Sequence, residues 1–477
     1  MPEHLTPKPA ADSPLQPGPE GLTQACGRYA AGFDALTPQA AQRAVMGIAD
    51  AVGVMLAAAR EPEVLAARAL ALEGAPQGRA SLLLSAECTR AADAAFVNAT
   101  AAHAFAMDDV AAGCHPSAVL MPALLAVGET LDASGSAVLR AYVVGFELLA
   151  ELAARQGEPL HGGGWHPTGV LGPVAVAAAV ARLMNLPADA CTRAIGMAAS
   201  FSGGLQANFG SGAKALHAGR VASAGVQAAQ LARLGITASA QALEHPKGLL
   251  RSIAGPGRVD VASPAFGPGR PLHIEAQGPS IKKYPLCYAL HRLVDAAIDI
   301  AGQPGFDAGR VQRVQVHLGR RQAAMAPHAA PQTGLQARYS VPFAVAAGLV
   351  ARAAGFAQLT PDFIGSTRVQ TLMAATAIAL RDGASADDAV FSEADRVVVE
   401  LSDGRRFDSG EVHHARGHDR LPLGAQALWR KFEDCLRSSG HRHAEPLYAA
   451  LMDLPSLPGV RALGVAARGG LQTHPRP

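Results

Sequence analysis

The sequence predicts a two-part chain, a large all-helical domain followed by a smaller α+β domain. Three observations carry this. Apolar residues recur at helical spacing from about Pro38 to Leu250. Proline and glycine then become dense around Val259 to Gly278. Beyond them the period shortens to two, with Val314, Val316 and Leu318 alternating with Gln315 and His317 as in a half-buried strand. At 477 residues and 49% hydrophobic content the chain can bury a large core and is long enough for two domains.

In chain order, residues 1–22 are proline-rich, without the basic start or apolar run of a secretory signal, and read as a flexible tail. The helical domain covers 23–268. Within it, Leu139, Tyr142, Val143, Phe146, Leu149 and Ala150 line one face of a helix over Ser136 to Arg155. The most apolar segment, Pro167 to Met184, is built largely of alanine, valine and glycine. Such a run gains little in lipid and packs closely in a bundle, so it reads as a buried core helix and not a membrane span.

The α+β domain covers 269–408. Val397, Val399 and Leu401 repeat the strand pattern ahead of Ser402-Asp403-Gly404, a hairpin turn. Between the strands lie a helix from about Val341 and another opening at Thr360-Pro361-Asp362, where threonine caps and proline suits the first helical position. Residues 409–463, with Leu421 to Leu436, return to helical character and dock back on the first domain; 464–477 read as a second loose tail. There is no internal repeat.

Charge and cysteine usage narrow the function. Lys+Arg 41 against Asp+Glu 39 leaves a net charge of +2, no field to draw nucleic acid or an acidic membrane. The six cysteines (26, 88, 114, 191, 287, 435) form no CxxC pair, which argues against a zinc ribbon, an iron–sulfur cluster or a disulfide framework and fits a reducing cytoplasm. His414 and His418 have metal-ligand spacing but lack the carboxylate of a zincin arrangement, so no metal site is expected.

Four clusters carry polar groups that a helical core would not place idly. HAFAMDDVAAGCHPS holds His103, Asp108, Asp109 and His115, and GGGWHPTG holds His166 and Thr168. GSGAKALHAGR places Lys214, His217 and Arg220 three residues apart, within roughly 120° of one helical face, behind glycines that let a ligand approach. IKKYPLCYALH holds Lys282, Lys283, Tyr284, Cys287 and His291. A small carboxylate is the natural guest for such cations.

Duller readings stand beside these. His103 sits in an alanine-rich helix like a structural histidine, Asp108 and Asp109 either end that helix or, for Asp109, orient His115, and Arg220 pairs with an acid or with substrate. Cys287 is either a small buried hydrophobe or a thiol acidified by the Lys-Lys-Tyr-Pro turn before it.

In this order AFVNATAAHAFAMDD, CHPSAVLMPALLAVGE, HPTGVLGPVAVAAAVARLMNL, GSGAKALHAGRVASAGVQAAQLARLGI and KKYPLCYALH resemble the MmgE/PrpD family, from about Gly27 to Leu463. That family contains 2-methylcitrate dehydratase, cis-aconitate decarboxylase and iminodisuccinate epimerase. The resemblance implies a helical domain joined to a smaller α+β domain, a homodimer, an active site between the domains, and neither metal nor organic cofactor. It also implies a di- or tricarboxylate substrate. Carried over position by position, it puts the catalytic set on His115, His166, Lys214 and Lys282. His103, Asp109, Thr168, His217, Arg220, Tyr284, Cys287 and His291 are the substrate-binding candidates around them.

There are departures. Ala106 stands where much of the family has aspartate, Val110 where threonine is common, and Ser340-Val341-Pro342-Phe343 lacks the family's tyrosine. These point away from methylcitrate and cis-aconitate toward a related acid or different chemistry in the same cleft. The expected activity is a cofactor-independent lyase that dehydrates or hydrates a small polycarboxylate, with epimerisation or decarboxylation as alternatives. A catalytically dead binding protein and a dinucleotide site at Gly210-x-Gly212-x-x-Ala215 are the remote ones; the latter lacks a preceding strand.

Overall fold

The computed structural model describes residues 21–469 apart from 158–159, 255–257, 268, 384, 386–390 and 442. The first core is helical: α1 (Leu22–Gly32), α2 (Pro38–Ala57), α3 (Pro62–Leu72), α4 (Ala91–Ala104), α5 (Pro116–Leu131), α6 (Gly135–Ala154), α7 (Pro167–Leu183), α8 (Ala188–Ala199), α9 (Gly212–Arg233), α10 (Leu249–Ala254) and α11 (His273–Gln277). One insertion departs from the all-helical expectation. Strands β1 (Ala80–Ser81) and β2 (Cys88–Thr89) pair antiparallel between α3 and α4, with the Ser81 N–H donating to buried Glu129 at 2.5 Å. Two residues per strand are too few to print an alternation on the sequence.

Small residues set how closely these helices approach. A β-carbon at Gly219 of α9 would stand 2.7 Å from the Phe96 carbonyl oxygen of α4, and one at Gly172 of α7 would stand 2.6 Å from Val221 Cγ1 of α9. The three helices therefore meet nearly backbone to backbone, which brings the C-terminal end of α4 close to the N-terminal ends of α7 and α9. α7 is buried along almost its whole length. α2 is long and apolar enough to cross a membrane, yet most of it lies inside the core.

The second core gathers α12 (His291–Ala301), β3 (Val311–Gly319), α13 (Arg320–Ala324), α14 (Gly334–Ala337), α15 (Val341–Ala351), α16 (Pro361–Gly365), α17 (Thr367–Ala374), β4 (Thr376–Arg381), β5 (Arg396–Leu401) and β6 (Arg406–Asp408). The sheet runs β4-β3-β5-β6, with β3 and β4 parallel and the other pairs antiparallel. Val314, Val316 and Leu318 turn inward as their alternation requires, and Thr360 caps α16 by accepting from the Phe363 N–H. β4 is the strand that periodicity did not mark: as an edge strand it leaves Ile378 and Leu380 exposed, so its alternation is not hydrophobic-in.

The cores divide later than residue 268. Glu147 of α6 accepts from the His273 and Ile274 N–H groups, and Ile274 is buried with the helical core, whereas the second core opens at Tyr284. After β6 the chain returns through α18 (Ala425–Ser438), α19 (Ala444–Met452) and α20 (Arg461–Gly469), and α18 packs on α2. The expected tail from 464 is thus helical through Gly469, anchored where the buried Leu463 and Ala467 face the core and His441 Nε2 donates to the Ala467 carbonyl at 2.7 Å. Likewise α1 already begins at Leu22; the rest of the N-terminal tail reading, and that for 470–477, lies outside the described residues.

Gly219→Val should lower stability by about 1–3 kcal/mol, because the branched side chain must push α9 off α4. Urea unfolding should show a lower midpoint at unchanged slope; an unchanged midpoint would contradict the close packing.

Candidate active site

Two site histidines owe their position to a proline. His115 and His166 directly precede Pro116 and Pro167, the first residues of α5 and α7. Proline starts a helix readily but forces the residue before it out of helical geometry. His115 accordingly sits at φ −119°, ψ 76° and His166 at φ −87°, ψ 107°, each as the N-cap residue. Lys214 lies in the first turn of α9. Three helix N-termini thus converge, and their unpaired N–H groups and dipoles favour negative charge between them.

Asp108 ties the cluster together. Its Oδ2 lies 2.8 Å from His103 Nδ1 and 3.0 Å from His115 Nδ1, and its Oδ1 lies 3.8 Å from Lys282 Nζ. Lys214 Nζ stands 3.0 Å from His103 Nε2. An ammonium only donates, so Nε2 of His103 accepts and Nδ1 carries the hydrogen given to Asp108. His115 Nδ1 also faces the Asp109 carbonyl at 2.9 Å, and two acceptors there put the hydrogen on Nδ1 and leave Nε2 with its lone pair. His166 Nδ1 meets His217 Nδ1 at 3.1 Å, while His166 Nε2 is buried without a partner among the described residues. Ring centroids of His103, His115 and His166 lie 4.7–6.0 Å apart.

Burial sets the protonation states. It lowers His103 to about 3 and His115 to about 4, against the opposing pull of Asp108, and it also lowers His166 and His217. All four imidazoles are neutral near pH 7. Burial brings Lys214 down to about 8 and also lowers Lys282, with Asp108 resisting in both cases. For Asp108 itself burial pushes upward, but His103, His115 and Lys282 more than offset it, so the carboxylate stays ionised well below its ordinary range. Two ammoniums and one carboxylate leave the cluster net positive.

The loop carrying Asp108 is held from several sides. Lys282 Nζ donates to the Ala106 carbonyl at 3.0 Å and Lys431 Nζ of α18 to the Met107 carbonyl at 2.9 Å. Val110 bridges Ser280, and the Arg338 guanidinium lies 4.5 Å over the Phe105 ring. Ala106, the position where the family's aspartate is missing, takes φ +53°, a left-handed conformation that costs a non-glycine residue energy. Lys431 is itself buried against Asp50 at 2.5 Å.

His115, His166, Lys214 and Lys282 therefore come together, with His103 and His217 in contact with them. Other candidates take different places. Asp109 does not orient His115 by its carboxylate. It turns away to accept from the Ser117 N–H at 3.0 Å and the Ser117 hydroxyl at 2.6 Å, and the orienting acid is Asp108. Thr168 Oγ1 accepts the His115 backbone N–H at 3.0 Å, a scaffold contact. Tyr284 donates to Asp295 at 2.6 Å inside the second core and does not face the cluster. His291 Nε2 donates to the Leu286 carbonyl at 3.2 Å, with its ring edge-on to Tyr284 and Tyr288. Arg220 is exposed: each three-residue step carries it further around α9, away from Lys214. Cys287 lies within electrostatic reach of Lys282 and Lys214, but burial raises its thiol, so the Lys-Lys-Tyr-Pro turn does not acidify it.

Sequence reasoning passed over Lys431, Asp50 and Phe209. Phe209 stands edge-on to His166 at 5.1 Å, with Lys214 Nζ 5.4 Å from its centre. It carries no motif, only a place in the loop ahead of α9. That loop holds a 3-10 turn at Gln206–Asn208. A surface hollow of about 590 Å³ by Met197, Phe201, Thr237, His245 and Lys247 shares no residue with the cluster.

Residues 27–262 match the family model described as MmgE/PrpD N-terminal domain, and residues 284–450 match the MmgE/PrpD C-terminal domain. Cis-aconitate decarboxylase of Mus musculus is 27% identical over 357 residues, covering 71% of this chain and 70% of that protein. The Homo sapiens cis-aconitate decarboxylase is 27% identical over 356 residues, 71% of either chain. That of Aspergillus terreus is 32% identical over 164 residues, 32% of this chain and 34% of that protein.

Burial raises Asp109 from 3.8 to about 7, against its bonds to Ser117. Between about pH 4 and pH 7 the folded chain keeps a proton that the unfolded chain has released, so this group's contribution to stability falls as pH rises through that window. Asp109→Asn removes the titration and can still bond Ser117. Its urea midpoint relative to the parent should therefore improve from pH 5 to pH 8, and a pH-independent difference would refute the assignment.

Proposed function

The chain belongs to the MmgE/PrpD family, and from that premise we propose that it is a lyase acting on a small di- or tricarboxylate through a carbanion beside a carboxylate. One observation carries the reading. His166 Nε2, buried and without a partner among the described residues, shares a cluster with two buried ammoniums, Lys214 and Lys282. Removing a proton or carbon dioxide next to a carboxylate leaves an electron pair that its oxygens must share. Cations fixed at those oxygens before the reaction stabilise that charge most where water is excluded. Lys214 and Lys282 fill this role, and the convergent helix N-termini add to it.

The proton carriers are His166 and His115. Each is neutral; His115 keeps a lone pair on Nε2, and His166 does so in the tautomer whose Nδ1 donates to His217, so each can accept a proton. Lys214, at about 8, is the acid closest to neutrality in the cluster. Decarboxylation is the leading reading: its carbanion needs one proton delivered, and the relatives spanning about 71% of the chain are cis-aconitate decarboxylases. Dehydration is the second reading, favoured by an unprotonated imidazole and an ammonium in one cluster, the base and acid an elimination needs.

Proton NMR in D2O with cis-aconitate, citrate, methylcitrate and aspartate-derived diacids separates the reactions. Loss of carbon dioxide marks the first, loss of water the second, and deuterium uptake at one carbon without net reaction would mark epimerisation. No turnover and no exchange on any acid would refute the reading. Lys214→Met should lower kcat by about 10²–10³, the loss typical of one preorganised charge-stabilising group; an unchanged rate would remove Lys214 from the site. In the parent enzyme kcat/KM should fall as pH rises through about 8, where Lys214 loses its charge. A profile flat to pH 9.5 would contradict that role.

A further inference from the structure

The histidine cluster holds a second capacity. One ring nitrogen from each of His103, His115 and His166 lies within 4.8 Å of those of the other two. The hydrogen bonds fix which nitrogens are available. Asp108 Oδ2 takes the Nδ1–H of both His103 and His115, which leaves a lone pair on Nε2 of each, and His166 Nε2 has one in the tautomer whose Nδ1 donates to His217. A carboxylate holding the far nitrogen of an imidazole is the outer-shell arrangement that orients a histidine toward a metal. His166 Nε2, on a residue 1% exposed, has no hydrogen-bond partner among the described residues. The Lys214 ammonium, 3.0 Å from His103 Nε2, supplies the positive charge that this nitrogen's lone pair faces.

We propose that His103, His115 and His166 form a transition-metal site for which Zn²⁺ competes with the Lys214 ammonium, making the metal an inhibitor. Tetrahedral zinc at about 2.0–2.1 Å from each nitrogen keeps them roughly 3.4 Å apart, so closing on the ion asks each ring for a shift below about 1 Å. Binding displaces Lys214 from His103 and removes one of the two cations of the carboxylate clamp, which is how it stops turnover. The binding half rests on geometry alone; the inhibition half rests on the lyase reading above.

Isothermal titration of the intact chain with Zn²⁺ and visible absorption with Co²⁺ test the binding half without substrate. The expected result is one ion per chain with the absorption of four-coordinate cobalt. Lys214→Ala, which removes the competing ammonium, should bind at least tenfold tighter, and His166→Asn at least tenfold weaker. No stoichiometric binding by either parent or Lys214→Ala, or binding that Lys214→Ala does not tighten, would overturn the site. Zn²⁺ should also abolish turnover reversibly, with EDTA restoring it; metal that binds while activity stays full would overturn the inhibition. Because binding is read directly, its failure leaves the lyase reading standing, and failure of the lyase reading leaves the binding result intact.

Discussion

A single buried carboxylate organises this molecule. Asp108 is fully buried, and an ion without water must be compensated by close partners or give up its charge. Here the compensation comes from the N–H groups of His103 and His115 and from Lys282. These partners arrive from the end of α4, the start of α5 and the connection between the two cores. Satisfying one charge thus fixes the relative positions of the groups in the cluster. It also fixes their hydrogens: both imidazoles give Nδ1–H to Asp108 and keep the lone pair on Nε2.

The remainder of the chain keeps that carboxylate in place. The loop from Phe105 to Val110 has no regular structure, and its carbonyls at 106 and 107 are taken by lysines from two distant segments. Lys431 ties the returning chain to the helical core after the sheet. Its ammonium needs an anion as well as the carbonyl, and Asp50 on α2 provides it. Helix packing works to the same end, since Gly219 lets α9 approach α4 until Lys214 reaches His103. Core, domain connection and site are one mechanical unit, in which a shift of one helix alters the charge balance of the cluster.

Much of this was legible from the residues. The change of hydrophobic period near 260–310 marks the two cores, because a helix face and a strand face need different spacings. The two His-Pro pairs announce N-cap histidines, since proline dictates local geometry without help from the rest of the fold. Less was legible where a single contact decides. Asp108 and Asp109 are chemically identical neighbours; only the loop's path sends one toward two histidines and the other toward Ser117. Arg220 keeps helical register with Lys214 yet ends on the surface. Tyr284 adjoins two lysines but spends its hydroxyl on Asp295. The edge strand β4 and the brief β1–β2 pair left no periodic trace.

The sequence by itself determined the two-core organisation, the main helices and the inner strands, the family and the types of group at the site, because helix starts, turns and amphipathic faces are set by neighbours within a few residues. Tertiary structure alone decided which acid orients the histidines, which lysines brace the loop and which nitrogens keep a lone pair. The first choice turns on the path of one short loop, and that path depends on buried charges finding partners far along the chain, as Lys431 finds Met107 across 324 positions, a meeting no local pattern encodes.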